Sequence, residues 1–222
     1  MIIELERDNF FMLNWLNNYL VGHKGFICGG CFKNIFNKEK VKDLDIFFKS
    51  EEDWNSAVQY FDERSVGYVS PFSGEPLSEK EAEFRFSYKN EKVKAYIHLK
   101  SGVAIELCKS IFGEPKDIIK SFDFTITKFA YYMEEVKDEE TDEIHIESKI
   151  ICDDKFFEHL HLKRLVLDDK IPFPMSTLER AFRYSKYGYN LCKESKIKLA
   201  KAIRDLSEEQ IEISESLYNG MD

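Results

Sequence analysis

Two aspartates, Asp43 and Asp45, are the residues whose type and spacing point most directly to chemistry. They alternate with Leu44 and Ile46, and side chains two positions apart on a strand lie on the same face of a sheet. Two like charges held about 6–7 Å apart along a strand repel each other. A divalent cation with oxygen ligands is the usual means by which proteins offset such repulsion, so the pair predicts a Mg²⁺ site.

A pair of glycines precedes these acids. Gly29-Gly30 is separated from Asp43 by twelve residues, and the pattern between them predicts a short helix over 31–37. A glycine turn at the start of a helix exposes backbone N–H groups to a phosphate. Because Gly30 offers no side-chain donor, Lys33 or Asn34 is expected to add a contact; the alternative is a tight turn without a ligand. Glycines for phosphates and paired acids for Mg²⁺ together indicate nucleotide chemistry.

These two motifs resemble the signature of the DNA polymerase beta-like nucleotidyltransferase superfamily. That signature places Gly and Gly or Ser before a short spacer and an acid–hydrophobic–acid–hydrophobic run, which Asp43-Leu44-Asp45-Ile46 matches. A later segment, Leu178–Tyr184 followed by Tyr187-Gly188-Tyr189, looks like the Arg-x-x-Arg-Phe helix after the head domain of tRNA nucleotidyltransferases and bacterial poly(A) polymerases. The resemblance extends over residues from about 20 to about 190.

The resemblance implies a third carboxylate from a later strand. Asp123 suits that role, in a predicted strand from Phe122 to Phe129, where it would help to hold the metal and act on the acceptor hydroxyl. Asp117 and Glu106 are its rivals. Glu106 is the stronger of the two because it lies on an alternating strand.

The resemblance also implies roles for two arginines. Arg180 and Arg183 are three residues apart and share one face of a predicted helix. They match arginines that contact the incoming triphosphate or the base. The alternative is an exposed pair that bridges to neighbouring glutamates.

Composition limits the classes of function. The formal net charge of −9 argues against a protein that coats nucleic acid in general. The segment from Ser176 to Arg204 nevertheless has eight basic residues against two acids, which suits a local contact with phosphates.

The chain has five cysteines, an odd number, which favours reduced thiols. Cys28-Gly29-Gly30-Cys31 is predicted to pack around the turn, and the alternative is a redox pair or half of a zinc site. The absence of an apolar run of membrane length or a signal peptide predicts a cytoplasmic protein with no membrane partner.

The order of predicted elements gives the organisation of the chain. Residues 1–150 alternate strands and helices, with an amphipathic opening helix over 9–20, and residues 151–222 are predicted to be helical, with a last helix after Ser207. The predicted fold is therefore α+β: a nucleotidyltransferase-type mixed sheet packed with helices, then an all-helical, neck-like C-terminal part.

The residues together with the resemblance thus imply an enzyme that moves a nucleoside monophosphate from an NTP, ATP among them, to an acceptor hydroxyl. Two Mg²⁺ ions would be held by Asp43, Asp45 and Asp123, and the nucleotide by Gly29, Gly30, Lys33, Arg180 and Arg183. The expected acceptor is an RNA 3′ end, such as that of a tRNA. The alternatives are nucleotidylation of a protein or a small molecule, as in toxin-like or phage-associated relatives of this superfamily, and a non-catalytic module that binds nucleotide.

Overall fold

The chain is described by a computed structural model for residues 1–72, 74–138, 142–168 and 170–207. Within these residues the strands are β1 (Ile2–Leu5), β2 (Phe26–Cys28), β3 (Asp43–Phe48), β4 (Phe84–Lys89), β5 (Val93–His98), β6 (Ala104–Phe112), β7 (Phe129–Lys137), β8 (Ile144–Asp153), β9 (Arg164–Leu165) and β10 (Asn190–Leu191). The α-helices are α1 (Cys31–Phe36), α2 (Glu51–Asp62), α3 (Pro115–Ser121), α4 (Phe156–His161), α5 (Pro174–Ser185) and α6 (Lys193–Arg204). Two 3₁₀ segments cover Arg7–Tyr19 and Thr125–Thr127.

The chain divides into two compact units. The first comprises Met1–Ser121 and Lys128–Asp153, and the second comprises Phe122–Thr127 together with the described residues from Asp154 onward. The predicted division into 1–150 and 151–222 stays a prediction. The units differ from it chiefly in the segment 122–127, which clusters with the C-terminal residues.

One eight-stranded sheet organises the first unit, in the order β1-β8-β7-β2-β3-β6-β5-β4. The pairing of β3 with β6 is parallel, and every other pairing in this sheet is antiparallel. β3 therefore lies inside the sheet, between β2 and β6. The alternation of Leu44, Ile46 and Phe48, all fully buried, fits a strand whose one face packs against the core.

Helix α2 covers that apolar face. It begins after Ser50, whose hydroxyl accepts a hydrogen bond from the backbone N–H of Asp53 at 3.1 Å, and three acids occupy its first turn. Trp54, Ala57 and Phe61 form its buried stripe. The indole Nε1 of Trp54 donates to the carbonyl of Leu107 at 3.1 Å, which fixes the helix on β6.

The predicted α+β class with a mixed sheet is confirmed, but several local predictions are wrong. The opening helix is a 3₁₀ segment interrupted at Phe10, which has non-helical φ and ψ angles. The C-terminal part is largely helical, yet β9 and β10 form a short parallel pair within it. The last helix expected after Ser207 lies outside the described residues.

The predicted strand from Phe122 to Phe129 is also wrong over most of its length. Residues 125–127 form a 3₁₀ turn, and β7 begins only at Phe129. Both the backbone N–H and the hydroxyl of Thr127 donate to the carbonyl of Phe124, at 3.0 and 2.8 Å. These local hydrogen bonds compete with a strand ladder, as threonine hydroxyls commonly do.

A buried imidazole makes the stability of the first unit depend on pH. His23 Nδ1 accepts from the Gly25 N–H at 3.1 Å and Nε2 bonds the Tyr19 carbonyl at 2.9 Å, so the neutral ring satisfies both partners. Burial lowers the pKa of His23 from 6.5 to about 4. The unfolded chain binds a proton on His23 more tightly than the folded chain does. The contribution of neutral His23 to stability is therefore complete above pH 6.5 and is lost as the pH falls toward 4.

We therefore expect the free energy of unfolding to fall by as much as about 3 kcal/mol between pH 6.5 and 4 through this residue. Urea unfolding at several pH values measures the slope. The His23→Gln variant, which cannot titrate, should lack this rise in stability with pH, so its slope should differ from that of the wild type by about 1 kcal/mol per pH unit. An unchanged slope in that variant would contradict the assignment.

Candidate active site

The site is a row of residues that crosses four neighbouring strands of the sheet. Cys28 on β2 pairs with Asp45 on β3, Asp45 pairs with Glu106 on β6, and Glu106 pairs with Ala95 on β5. Because directly paired residues point to the same side, these side chains share one face, which we call the acid face. Asp43 lies on it as well, two residues before Asp45 on the same strand.

The acid beside Asp45 is therefore Glu106. The two lie in register on parallel strands, and their side chains are hydrogen-bonded to each other. Tyr88, on the edge strand β4, donates its hydroxyl to Glu106 Oε1 at 2.8 Å. Burial, followed by this bond to Glu106, raises the pKa of Tyr88, so the phenol keeps its proton.

Asp45 is the acid on this face whose pKa is strongly raised. Burial first, then the charges of Glu106 and Asp43, raise the pKa of Asp45 from 3.8 to about 8. A carboxyl with such a pKa holds a proton at neutral pH, and this proton accounts for its hydrogen bond with Glu106. The acid face thus has fewer negative charges than carboxyl groups.

Three cysteines border the acids. Cys28, Cys31 and Cys108 are buried free thiols, and burial raises the pKa of each well above its usual value. Burial is the largest cause for all three, so these thiols stay neutral. Neutral buried thiols agree with the predicted packing around the glycine turn and are poor nucleophiles or redox groups.

The glycine turn has one position that needs glycine. Gly29 has a φ of +98°, in the left-handed region that favours glycine, and its N–H donates to the carbonyl of Phe129 at 3.1 Å. Gly30 has a φ of −68° and immediately precedes α1, so its backbone would also accept serine. The turn carries the chain from β2 into α1, and it starts directly after Cys28, which pairs with Asp45.

Lys33, predicted to contact phosphate, is buried and engaged elsewhere. Its ammonium lies 3.1 Å from Glu39 Oε2 and also donates to the side-chain oxygen of Asn34. Asn34 in turn donates to the carbonyl of Lys40 at 3.2 Å. The structure thus assigns Lys33 and Asn34 to closing the loop after α1.

Asp123 belongs to a different cluster, in the second unit. It is buried, and its Oδ1 accepts from the N–H of Phe124 at 2.9 Å. Its Oδ2 accepts from the Thr177 hydroxyl at 3.0 Å and from Nε and a terminal nitrogen of Arg180 at 2.9 and 2.7 Å. The prediction that Asp123 lies on a strand is wrong, because residue 123 lies in a bend and β7 begins only at Phe129.

The two arginines predicted to bind nucleotide, Arg180 and Arg183, have different surroundings. Arg180 is paired with Asp123 and remains about two-fifths exposed, with 42% of its side-chain surface accessible. Arg183 is exposed on α5. The ion pair anchors α5 to residues 122–127 within the second unit.

The sequence pattern favours Asp123 over Glu106 as the third acid and does not indicate Tyr88. The alternation of Val103, Ile105 and Leu107 was the available signal for Glu106, and it proves to mark the strand parallel to β3. Nothing in the local pattern signalled Tyr88.

The donor chemistry of the acid face fits Mg²⁺. Asp43, Asp45 and Glu106 offer only carboxylate oxygens, the ligands that hard divalent cations prefer, and the raised pKa of Asp45 marks negative charge that lacks a neutralising partner. In the described ranges no group of three or more His, Cys, Asp or Glu side chains is already arranged to enclose a metal. Binding would therefore require Asp45 to lose its proton to solvent.

Comparison with known proteins gives one family and one fold. The model of the Gabija anti-defense 2 family protein matches residues 6–163. A curated relative, Gabija anti-defense 2 of Bacillus phage SPbetaL7, is 24% identical over 208 residues, which cover 90% of this chain and 42% of the relative. The chain thus spans less than half the length of that relative.

Among solved structures, the complex of a CCA-adding enzyme with CTP is similar with a TM-score of 0.57 and 13% identity, over 96% of this chain and 49% of the other. A tRNA-processing enzyme in its apo form I gives a TM-score of 0.49 and 14% identity, over 92% and 49%. At this identity the first likeness shows the fold alone, which is of the nucleotidyltransferase type. No helix in the described part of the chain has the length and apolarity to cross a membrane.

The protonated Asp45 leads to a prediction about stability. Because the folded pKa of about 8 exceeds the unfolded value of 3.8, this group costs stability as the pH rises from 4 to 8. Without divalent cations at pH 7, Asp45→Asn should therefore raise the free energy of unfolding, by between about 1 and 4 kcal/mol. Urea unfolding in EDTA measures it. Asp43→Asn, at an exposed position, should give a smaller gain, and a destabilised Asp45→Asn would contradict the account.

The Asp123 cluster leads to a second prediction. Asp123→Ala leaves Arg180 and Thr177 without their shared acceptor, so we expect a loss of about 2–4 kcal/mol in the stability of the second unit. Glu179→Ala, at an exposed position of the same helix, is the matched control and should change stability by less than about 0.5 kcal/mol. Equal effects of the two substitutions in thermal or urea unfolding would show that the cluster is not a structural anchor.

Proposed function

Because the chain belongs to the Gabija anti-defense 2 family and has a nucleotidyltransferase-type fold, we propose that it is a metal-dependent nucleotidyltransferase. It would move a nucleoside monophosphate from an NTP to an acceptor hydroxyl. One observation carries the proposal: Asp43, Asp45 and Glu106 lie together on one face of two adjoining parallel strands, next to a glycine turn that opens a helix.

The metal ligands in this proposal are Asp43, Asp45 and Glu106, with Glu106 in the place that sequence reasoning gave to Asp123. They would hold Mg²⁺, one or two ions, and when bound the metal supplies positive charge that stabilises the triphosphate during transfer. Asp45 would lose its proton on binding, because the positive charge of the cation offsets the burial and the repulsion that raise its pKa. ATP is the first nucleotide to test.

The remaining chemistry falls to groups of the chain. An acceptor oxygen forms a bond to the α-phosphorus, the bond between that phosphorus and the bridging oxygen breaks, and pyrophosphate leaves. Glu106 would take the proton from the acceptor hydroxyl. The Gly29-Gly30 turn allows the backbone to approach the phosphates closely because no side chain intervenes.

For the acceptor, an RNA 3′ end is the first candidate. Its support is a set of exposed basic residues on α5, at its C-terminal end and on α6: Arg183, Lys186, Lys193, Lys196, Lys201 and Arg204. Such residues suit phosphate contacts in an otherwise acidic protein.

A protein or small-molecule acceptor is the second candidate, and the family favours it. The name of the matching family and of the phage relative describes action against a defence system, which implies an encounter with components of that system. A protein of that system would then be the acceptor or the partner.

The test is pyrophosphate release from each NTP with Mg²⁺, together with the fate of the labelled nucleotide. We expect Asp43→Asn, Asp45→Asn and Glu106→Gln each to lower the rate at least about a hundredfold. Asp117→Asn, an exposed acid of α3 that pairs with Lys120, is the matched control and should keep the wild-type rate.

Label on RNA supports the first acceptor, and label on protein or on a small molecule supports the second. Binding of NTP with no pyrophosphate release by the wild-type protein would instead identify a non-catalytic nucleotide-binding module and overturn the proposal.

A further inference from the structure

Tyr88 reaches the acid face through an irregularity in β4. On a regular strand Phe84, Phe86 and Tyr88 would all point to the same side, since they are two positions apart. The register instead pairs Phe86 with Tyr96 and Tyr88 with Ala95, so that two steps along β4 match one step along β5. Ser87 is the extra residue of a β-bulge, and such bulges re-aim side chains.

The bulge separates the two aromatic residues. Phe86 stays with Tyr96 in an edge-to-face contact, with ring centroids 6.3 Å apart, on the face covered by α2. Tyr88 turns to the opposite face, where its hydroxyl donates to Glu106 Oε1 at 2.8 Å. The bulge thus places a hydrogen-bond donor on the acid next to Asp45.

We propose that Tyr88 is a positioning residue that holds the Glu106 carboxylate beside Asp43 and Asp45 for binding of the divalent cation. This inference rests on the proposed function. A glutamate has three rotatable side-chain bonds, and a donor fixed to one oxygen restricts the carboxylate to the orientation that the neighbouring acids require. Groups that orient metal ligands in this way commonly change metal affinity or activity by about tenfold to a hundredfold.

A purely structural role suits Tyr88 poorly. It lies on β4, the edge strand of the sheet, and 43% of its surface is accessible to solvent. Its strand neighbours from Arg85 to Lys89 are exposed as well. A hydrogen bond from a hydroxyl group on an exposed edge strand adds little to folding stability. The same bond restrains one carboxylate oxygen of Glu106.

The chain offers a matched control one strand away. Tyr96 also donates its hydroxyl to a carboxylate at 2.8 Å, but the acceptor is Asp62 of α2 on the opposite face. Tyr88→Phe and Tyr96→Phe therefore remove the same atom and the same kind of bond, one at the acids and one away from them.

The experiment measures binding of Mn²⁺ without nucleotide, by titration calorimetry, and the Mg²⁺ dependence of pyrophosphate release. For Tyr88→Phe we expect the Mn²⁺ Kd and the half-saturating Mg²⁺ concentration to rise about tenfold. Tyr96→Phe should lower the thermal midpoint and leave both values at wild type. In a Glu106→Gln background, Tyr88→Phe should change the Kd by less than about twofold, because the partner is already altered.

Two different results would overturn the inference, and only one of them would also overturn the proposed function. If wild-type protein binds Mn²⁺ and releases pyrophosphate but Tyr88→Phe matches it in both measurements, the role of Tyr88 is wrong and the proposed function stands. If the wild-type protein does neither, the proposed function is wrong and this inference is lost with it.

Discussion

Like-charge repulsion between carboxyl groups on two parallel strands is the constraint on which the site depends. β3 and β6 lie side by side in register, so Asp45 and Glu106 face each other across the ladder with Asp43 on the same side. Burial first, and then repulsion from Glu106 and Asp43, raise the pKa of Asp45 to about 8, so it is protonated at neutral pH. Carboxyl groups held together at a cost in stability are typical of functional sites, and this is why we propose that they bind a divalent cation.

The surrounding structure holds this unfavourable arrangement in place. The opposite face of β3 is fully buried, and α2 packs over β3 and β6 with Trp54 bonded to the backbone of Leu107. A one-residue slip of β3 would move its apolar side chains out of the core, so the register of the acids is strongly specified. Gly29 redirects the chain into α1, and small neutral thiols fill the space beside the carboxyl groups.

The parts of this site that lie within one short stretch of chain could be predicted from the sequence. The alternation around Asp43 and Asp45 and the glycine turn are visible within a few residues of sequence, and both occur where they were expected. Glu106 lies beside Asp45 because β6 pairs with β3, and no local pattern encodes that strand order. Asp123 therefore seemed suitable in sequence, whereas in the structure it binds Arg180 and Thr177. The placement of Tyr88 depends on a bulge that inverts the expected alternation, so a strict period of two assigns it to the wrong face.

The most direct test of the central claim is the number of protons released when Mg²⁺ binds. Titration calorimetry at pH 7 in two buffers with different ionisation enthalpies gives this number. The account predicts release of about one proton by the wild-type protein and almost none by Asp45→Asn, since the cation must displace the proton of Asp45. Mg²⁺ binding without proton release, or no binding at all, would contradict it.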